Sequence, residues 1–516
     1  MRALLMFPDR DFEVAREDAR IEHDVIEDLD LATLWSAMAR GDEEIWRSSR
    51  AALLASLESP DEIRHRQAVY LDCLAHRPVI EELYQLAGDV IAEKKRSWRG
   101  IGVSSQHGEP LLHASMRELS SYVGILHRLH QLAKEQADAF SSDGFVRLFS
   151  TIRDELGDAY LAAINQHLRR LRFRDGMLAS ARLGEGNEGV DYVLRAPRGR
   201  GHLLRHPMMK GPTFSRTIAR EDNAGGEALS GLRDRMVSLA ANALAQSADH
   251  IVSFFTALRD ELAFYLGCCN LHDDLLARGQ VDCQPDPEPI GSSALAATGL
   301  YEPCLVLHTS QHVVANDLRA DGRTVLVVTG ANQGGKSTFL RSIGVAQLMM
   351  QAGMPVAAAS FRTAIVRGVF THFSREEDQT MTRGKFDEEL QRMRAISGQL
   401  QPNALLLCNE SFSSTNEREG SEIAAEIVGA LNEAGVRVVF VTHLYELCRH
   451  LYERYPCHTL FLRAERRSDG SRPFCIAEAE PLATSFAKEL YCRTFACPGT
   501  TADDIANVNA ANRVAS

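Results

Sequence analysis

The stretch Thr324–Gln351, TVLVVTGANQGGKSTFLRSIGVAQLMMQ, decides the fold. It opens on a β-branched run, TVLVVTG (324–330), which predicts a buried strand. It closes on FLRSIGVAQLMMQ (339–351), whose apolar spacing predicts a helix. Between them, Gly330-Ala-Asn-Gln-Gly-Gly335-Lys336-Ser337 fits the pattern G-x-x-x-x-G-K-[ST]. Such a loop needs glycine because its backbone must curl until successive N–H groups point at phosphate oxygens. The following helix offers its positive N-terminal end to the same charge. Gly330, Asn332, Gly334 and Gly335 are therefore the expected cradle. Lys336 is expected to reach the β- and γ-phosphates, the Ser337 hydroxyl to hold Mg²⁺, and Thr338 to support the α-phosphate. ATP with Mg²⁺ is the cofactor set that this loop predicts.

Two further apolar runs lie downstream, ALLLCNE (404–410) and VRVVFVTH (436–443), each followed by helical periodicity. Strands alternating with helices predict a parallel sheet covered on both faces. Hydrolysis needs a carboxylate that orients or deprotonates water beside the nucleotide, at the end of a neighbouring strand. Glu410 is the expected general base. Asn409 precedes it where a Walker B strand usually carries Asp; an amide accepts a hydrogen bond from metal-bound water but brings no charge. His443 closes the third strand and is expected to contact the γ-phosphate.

Upstream the pattern is different. Apolar residues recur at three- and four-residue spacing over about 15–165 and again over about 227–277, which predicts two helical blocks. Between them lies a Gly-rich segment with a strand-like patch, GVDYVLRAP. From Arg169 to Arg220 the chain has twelve Lys or Arg against four acidic residues. That island carries +8 in a chain whose net charge is −12, so everything else carries −20. Arg195, Arg198 and Arg200 are its candidate contacts to DNA phosphates. Residues 278–293, RGQVDCQPDPEPIGSS, read as a linker because of their clustered prolines. The Cys residues are scattered, apart from Cys268–Cys269, and show no zinc-site spacing. No apolar run reaches a membrane-spanning length, and the start turns acidic too early for a signal peptide, so a cytoplasmic protein is expected.

These residues resemble the MutS-like ATPases of the ABC class. The run NDLRADGRTVLVVTGANQGGKSTFL is similar to that family's strand and phosphate loop. Glu410-Ser-Phe-Ser-Ser-Thr415-Asn-Glu-Arg-Glu-Gly420 has the family's spacing from catalytic Glu to closing Gly, and Thr415 and Gly420 match outright. Phe440-Val-Thr-His443 resembles its histidine-switch strand, and PDEIRHRQAVYLDCLAH resembles its helical core around Arg66. The resemblance implies an all-α core/lever domain (1–290, with the basic insertion near 169–226), followed by an α/β P-loop ATPase domain (291–500); the small, polar last residues predict a flexible tail (501–516). It also implies a homodimer in which each ATPase completes the other's site with a helix N-terminus. Here that helix is Gly384-Lys385-Phe386-Asp-Glu-Glu389, with Gly384 standing where the family has serine. The implied function is ATP hydrolysis that moves helical levers on DNA, related to repair or recombination and without mismatch reading. The alternative is a nucleotide-gated switch acting on a protein partner.

Overall fold

The computed structural model describes residues 1–14, 20–98, 108–173, 176–195, 214–309, 311–331, 333–375, 384–467 and 471–480. Its contacts divide the chain into two compact units. One comprises Met1–Ala15, Gly41–Ala51 and His65–Cys269; the other comprises Arg16–Arg40, Ala52–Arg64 and Asn270–Ser516. The first stretches of the second unit are thus helical residues from near the start of the chain. Among the described residues no helix is long and apolar enough to cross a membrane.

The N-terminal half is helical: α1 (Arg20–Asp28), α2 (Leu31–Ala39), α3 (Glu43–Leu54), α4 (Pro60–Ala75), α5 (Arg77–Trp98), α6 (Gly108–Gln136), α7 (Asp143–Glu155) and α8 (Asp158–Arg170). Ser142 caps α7 by accepting from Phe145 N, and Phe145 and Phe149 then pack against Phe140 below it. The strand-like patch is a strand, β2 (Gly189–Arg195), paired antiparallel with β1 (Leu178–Leu183). The single helix α9 (Asn223–Ala277) follows; its 55 residues correspond to about 80 Å at 1.5 Å each. In the first unit the segment around Leu5–Phe12 has no ladder of its own. The buried Glu261 carboxylate on α9 accepts the N–H groups of Leu5, Met6 and Phe12, and Arg66 donates to Met6 O. Buried side chains there stand in for secondary structure.

The second unit holds two sheets. Its elements run β3 (Asp286–Glu288), β4 (Leu295–Leu300), α10 (Pro303–His308), β5 (Asn316–Arg319), β6 (Val325–Gly330), α11 (Lys336–Ala352), β7 (Ser360–Ala364), β8 (Val369–Phe373), α12 (Lys385–Ser397), β9 (Leu405–Asn409), α13 (Glu417–Glu433), β10 (Arg437–Val441), α14 (Tyr445–Arg454), β11 (Thr459–Ala464) and β12 (Ile476–Glu478). The larger sheet has the order β12-β11-β6-β10-β9-β8, parallel throughout except for β12 at one edge. Its middle strands read as unbroken apolar runs because both faces are covered. Alternate residues Val325, Val327, Leu406, Cys408, Val438 and Phe440 meet the buried sides of α12, α13 and α14. The opposite face receives α11, where Gly344 lets the helix approach Leu407 and Leu29 so closely that a Cβ would lie 2.5 Å from Leu407.

The smaller sheet, β3-β7-β4-β5, corrects the reading of 278–293 as a linker. Cys283 exchanges backbone hydrogen bonds with Val356, and Asp286–Glu288 pair in parallel with β7. The prolines that suggested a linker fit because β3 is an edge strand, where a missing N–H need break no ladder. The expected tail, 501–516, lies outside the described residues.

Candidate functional site

The site is built where β6 ends between β10 and β11. There the chain turns through Gly330 (φ 113°), Gln333 (φ 59°) and Gly335 (φ 88°) before entering α11. A Cβ at Gly330 would lie 3.0 Å from Ala464 N and O on β11; one at Gly334 would lie 2.9 Å from Ala331 O. The loop is therefore too close to its neighbours for any larger residue at those positions. Gln333 takes a left-handed conformation without being glycine, which costs roughly 1–3 kcal/mol. Arg472, just before β12, holds it: its guanidinium donates to Gln333 Oε1 at 2.7 Å.

Lys336 is only 5% exposed, and its Nζ donates to Gly330 O at 2.9 Å and Ala331 O at 3.2 Å. Burial pulls its pKa down, while the Glu410 carboxylate acts in the opposite direction. Next to it, Ser337 Oγ donates to Asn409 Oδ1 at 2.9 Å, and Asn409 is the last residue of β9. Asn409 is registered with Val441 on one side and Phe373 on the other, which fixes its height at the carboxyl end of the sheet. Glu410 follows with φ 53° and its N–H on Val441 O at 2.9 Å. Phe412, two residues on, has φ 63°, so this turn has two further residues in the costly left-handed region. Gly420 closes it; a Cβ there would stand 2.4 Å from Phe412 O.

The structure thus brings together Gly330, Gly334, Gly335, Lys336, Ser337, Thr338, Asn409 and Glu410. His443 is exposed and stands two residues beyond β10, the strand between β6 and β9. Gly384 caps α12 without a side-chain hydrogen bond, and Lys385 is that helix's first residue. Arg195 ends β2, donating through Nε to Ser180 Oγ at 3.0 Å. Asn332, Arg198 and Arg200 lie outside the described residues.

Two features escaped sequence reasoning. A cavity of about 320 Å³ opens beside Gly335 and Thr338, lined by Tyr301, Leu305, His312, Asn316 and Phe474 among others. An apolar, aromatic hollow next to a phosphate-sized turn has the chemistry to take a flat base. A more open hollow of about 500 Å³ along α13 and α14 presents Glu422, Glu426 and Glu453 beside His450 and Arg454. Its three carboxylates oppose a phosphate, whereas the one carboxylate lining the smaller cavity, Glu302, is held by the N–H groups of Cys304 and Leu305, so the smaller cavity is the better nucleotide candidate. The second missed feature is Arg472 itself, which brings a cation to the loop from 139 residues beyond Gln333. Neither has a pattern in the sequence; the Ser-Arg-Pro-Phe run reads only as a turn.

Comparison with known proteins points the same way. Residues 58–278 match the family model of the MutS2 N-terminal domain, and residues 326–474 match that of MutS domain V. The chain is 32% identical over 163 residues to an Endonuclease MutS2 of Streptococcus thermophilus, covering 31% of this chain and 20% of that protein. Similar proteins of the same name occur in Streptococcus agalactiae (31% over 163 residues, again 31% and 20%) and in Streptococcus equi subsp. equi (32% over 139 residues, 27% and 18%). The match thus spans about a fifth of the length of these curated relatives. Two family models matched in chain order, with the second covering the strand, loop and turn just described, support a member of the MutS family.

Proposed function

We propose that this chain is a MutS-like P-loop ATPase that couples ATP binding and hydrolysis to movement of its helices on DNA. The observation that carries the reading is the convergence of buried Lys336, the Ser337–Asn409 hydrogen bond and Glu410 at one end of one sheet. In this reading the N–H groups of the Gly330–Lys336 loop and the start of α11 receive the phosphates. Lys336 exchanges its two loop carbonyls for phosphate oxygens. The base enters the cavity lined by His312 and Phe474, against which Gly335 already packs.

Ser337 Oγ and Asn409 Oδ1 fit Mg²⁺: both are hard oxygen donors, already at hydrogen-bond distance, and this ion normally keeps several waters besides one or two protein oxygens. Bound there, it would neutralise developing charge on the phosphates. Glu410 accepts the proton of the attacking water, and His443 meets the γ-phosphate. Gly384 and Lys385 offer an uncapped helix N-terminus to a partner's nucleotide in a homodimer. DNA is held without sequence or mismatch reading by the basic insertion through Arg195, Arg198 and Arg200, and the protein works in the cytoplasm. The endonuclease activity in the relatives' name is not carried over, because the match covers a fifth of those proteins.

The test is ATP binding and steady-state hydrolysis of the full chain. Lys336→Ala removes a fixed positive charge from the β/γ-phosphates, so ATP affinity falls steeply while the chain stays folded. Glu410→Gln keeps ATP binding and loses turnover by about 10²-fold or more. A folded Lys336→Ala protein with parental ATP affinity would sink the site. The second reading is a nucleotide-gated switch acting on a protein partner, with little DNA binding or slow hydrolysis; the uncharged amide at 409 and the glycine at 384 favour the slow hydrolysis. It predicts ATP binding with little turnover or little DNA binding.

A further inference from the structure

The turn that holds Glu410 is strained at Glu410 and Phe412, and neither residue is glycine. Something outside the turn must hold it in place. His372, on β8, is fully buried beneath it. Its ring stacks on Phe412, with centroids 5.4 Å apart and planes 22° from parallel. Nδ1 lies 2.7 Å from Ser411 Oγ, the side chain next to Glu410, and that same hydroxyl lies 2.6 Å from the His372 carbonyl oxygen. Nε2 lies 3.0 Å from Glu389 O on α12. A carbonyl can only accept, so Nε2 carries the proton, and the single Ser411 hydroxyl hydrogen is shared between the His372 carbonyl and Nδ1. Burial, reinforced by the Arg392 charge, lowers the pKa of this imidazole and so favours its neutral form.

A second tie runs beside the first. Glu389, 3% exposed, accepts through Oε1 from Ser414 Oγ at 2.8 Å, and Ser414 belongs to the same turn. Among the described residues its Oε2, also buried, has no hydrogen-bond partner, so the Ser414 hydroxyl is the contact that orients this carboxyl group. Glu389 lies one helical turn after Lys385 on α12. Both ties therefore join the start of α12 to residues 411–414, one through its backbone and one through its side chain.

We propose that His372 and Glu389 are positioning residues for hydrolysis: together they clamp residues 411–414, set the direction of the Glu410 carboxylate, and transmit displacement of α12 to it. The proposal rests on the reading of Glu410 as the general base. It makes the geometry of water activation depend on what α12 touches, so an occupied helix N-terminus at Gly384 is felt at Glu410 without any contact to it.

The experiment uses the full chain and two small deletions of hydroxyl groups, Ser411→Ala and Ser414→Ala, beside Glu410→Gln. Each Ser variant is expected to lower kcat by about tenfold or more, a scale set by misplaced catalytic groups. ATP affinity should stay at the parental value, the melting temperature should fall modestly because each deletion leaves a buried polar group unpaired, and hydrogen exchange should quicken mainly in the peptide containing 410–415. His372→Gln can donate to Glu389 O at one end and accept from Ser411 at the other, so it should keep more activity than His372→Leu. A merely structural role would lower ATP affinity together with kcat, or lower kcat only in proportion to the folded fraction, and would overturn the proposal. Parental kcat in both Ser variants, with Glu410→Gln inactive, overturns the clamp and leaves the base assignment standing. Parental turnover in Glu410→Gln, or no turnover in the parent chain, overturns the base assignment and the clamp with it.

Discussion

At position 409 an amide occupies the place where a carboxylate would bring a full charge to a divalent cation. Its oxygen is well placed, on the Ser337 hydroxyl, so what the site lacks is charge and not geometry. Asn409→Asp should therefore lower the Mg²⁺ concentration needed for ATP binding, read by titrating Mg²⁺ at fixed ATP. An unchanged midpoint would show that position 409 does not face the ion. The side chains of this centre were legible in the sequence because the loop's chemistry is contiguous: Gly335, Lys336 and Ser337 are neighbours, and Asn409 and Glu410 end one apolar run. Arg472 and His372 were not legible, because each acts across sheet order. Arg472 reaches Gln333 only because β11 pairs with β6, and His372 reaches Ser411 only because β8 pairs with β9. A lone Arg in a turn and a lone His in a strand carry no pattern that announces such meetings.

Among the elements, the turn from β9 into α13 is where packing and chemistry meet. Gly420 sits in the first turn of α13 with no room for a methyl group, since the obstacle is the Phe412 carbonyl and not a movable side-chain end. Gly420→Ala should destabilise the second unit by about 1–3 kcal/mol, the usual range for overpacking, seen as an earlier urea transition. Turnover should fall with it, because the displaced atom belongs to the strained turn. Behind that turn, burial pushes His372 down to about 4 from its ordinary value near 6.5. A folded-state value below the unfolded one means that the unfolded chain binds the extra proton. Stability is thus intact above pH 6.5, falls by up to about 1.4 kcal/mol per pH unit toward pH 4, and then levels. His372→Gln should flatten that limb; an identical acid profile would assign the loss to other groups. The strands 324–330, 404–410 and 436–443 were readable because parallel strands buried on both faces are nearly continuous apolar runs. Strands β3, β4, β5, β7, β8, β11 and β12 were not read: β3 is built around proline at an edge, and β5, β7 and β8 carry polar residues inside the run.

Over the whole molecule the decisive quantity is how charge is distributed. The island from Arg169 to Arg220 carries +8 while the remainder carries −20, so in the proposed reading the long-range field should turn DNA away from most of the chain and admit it at the island. The hairpin of β1 and β2 does not itself carry this excess: Arg182 and Arg195 are exposed there beside the exposed Glu185, Glu188 and Asp191, and Asp191 pairs with Arg182, so the island's charge comes from the residues on either side of the hairpin. Replacing Arg195, Arg198 and Arg200 with Ala removes up to three phosphate contacts. For duplex DNA the slope of log affinity against log salt should then shrink by up to about 2.7, at roughly 0.9 per contact. Folding stability should change little: Arg195 is exposed, and surface charges contribute at most about 1 kcal/mol each. ATP hydrolysis without DNA should persist, and any DNA-stimulated component should disappear. An unchanged salt slope in the triple variant would remove the island as the contact surface. A parent chain that binds no DNA form at low salt would decide for the protein-partner switch, since a field of +8 unscreened by salt is the condition most favourable to capture.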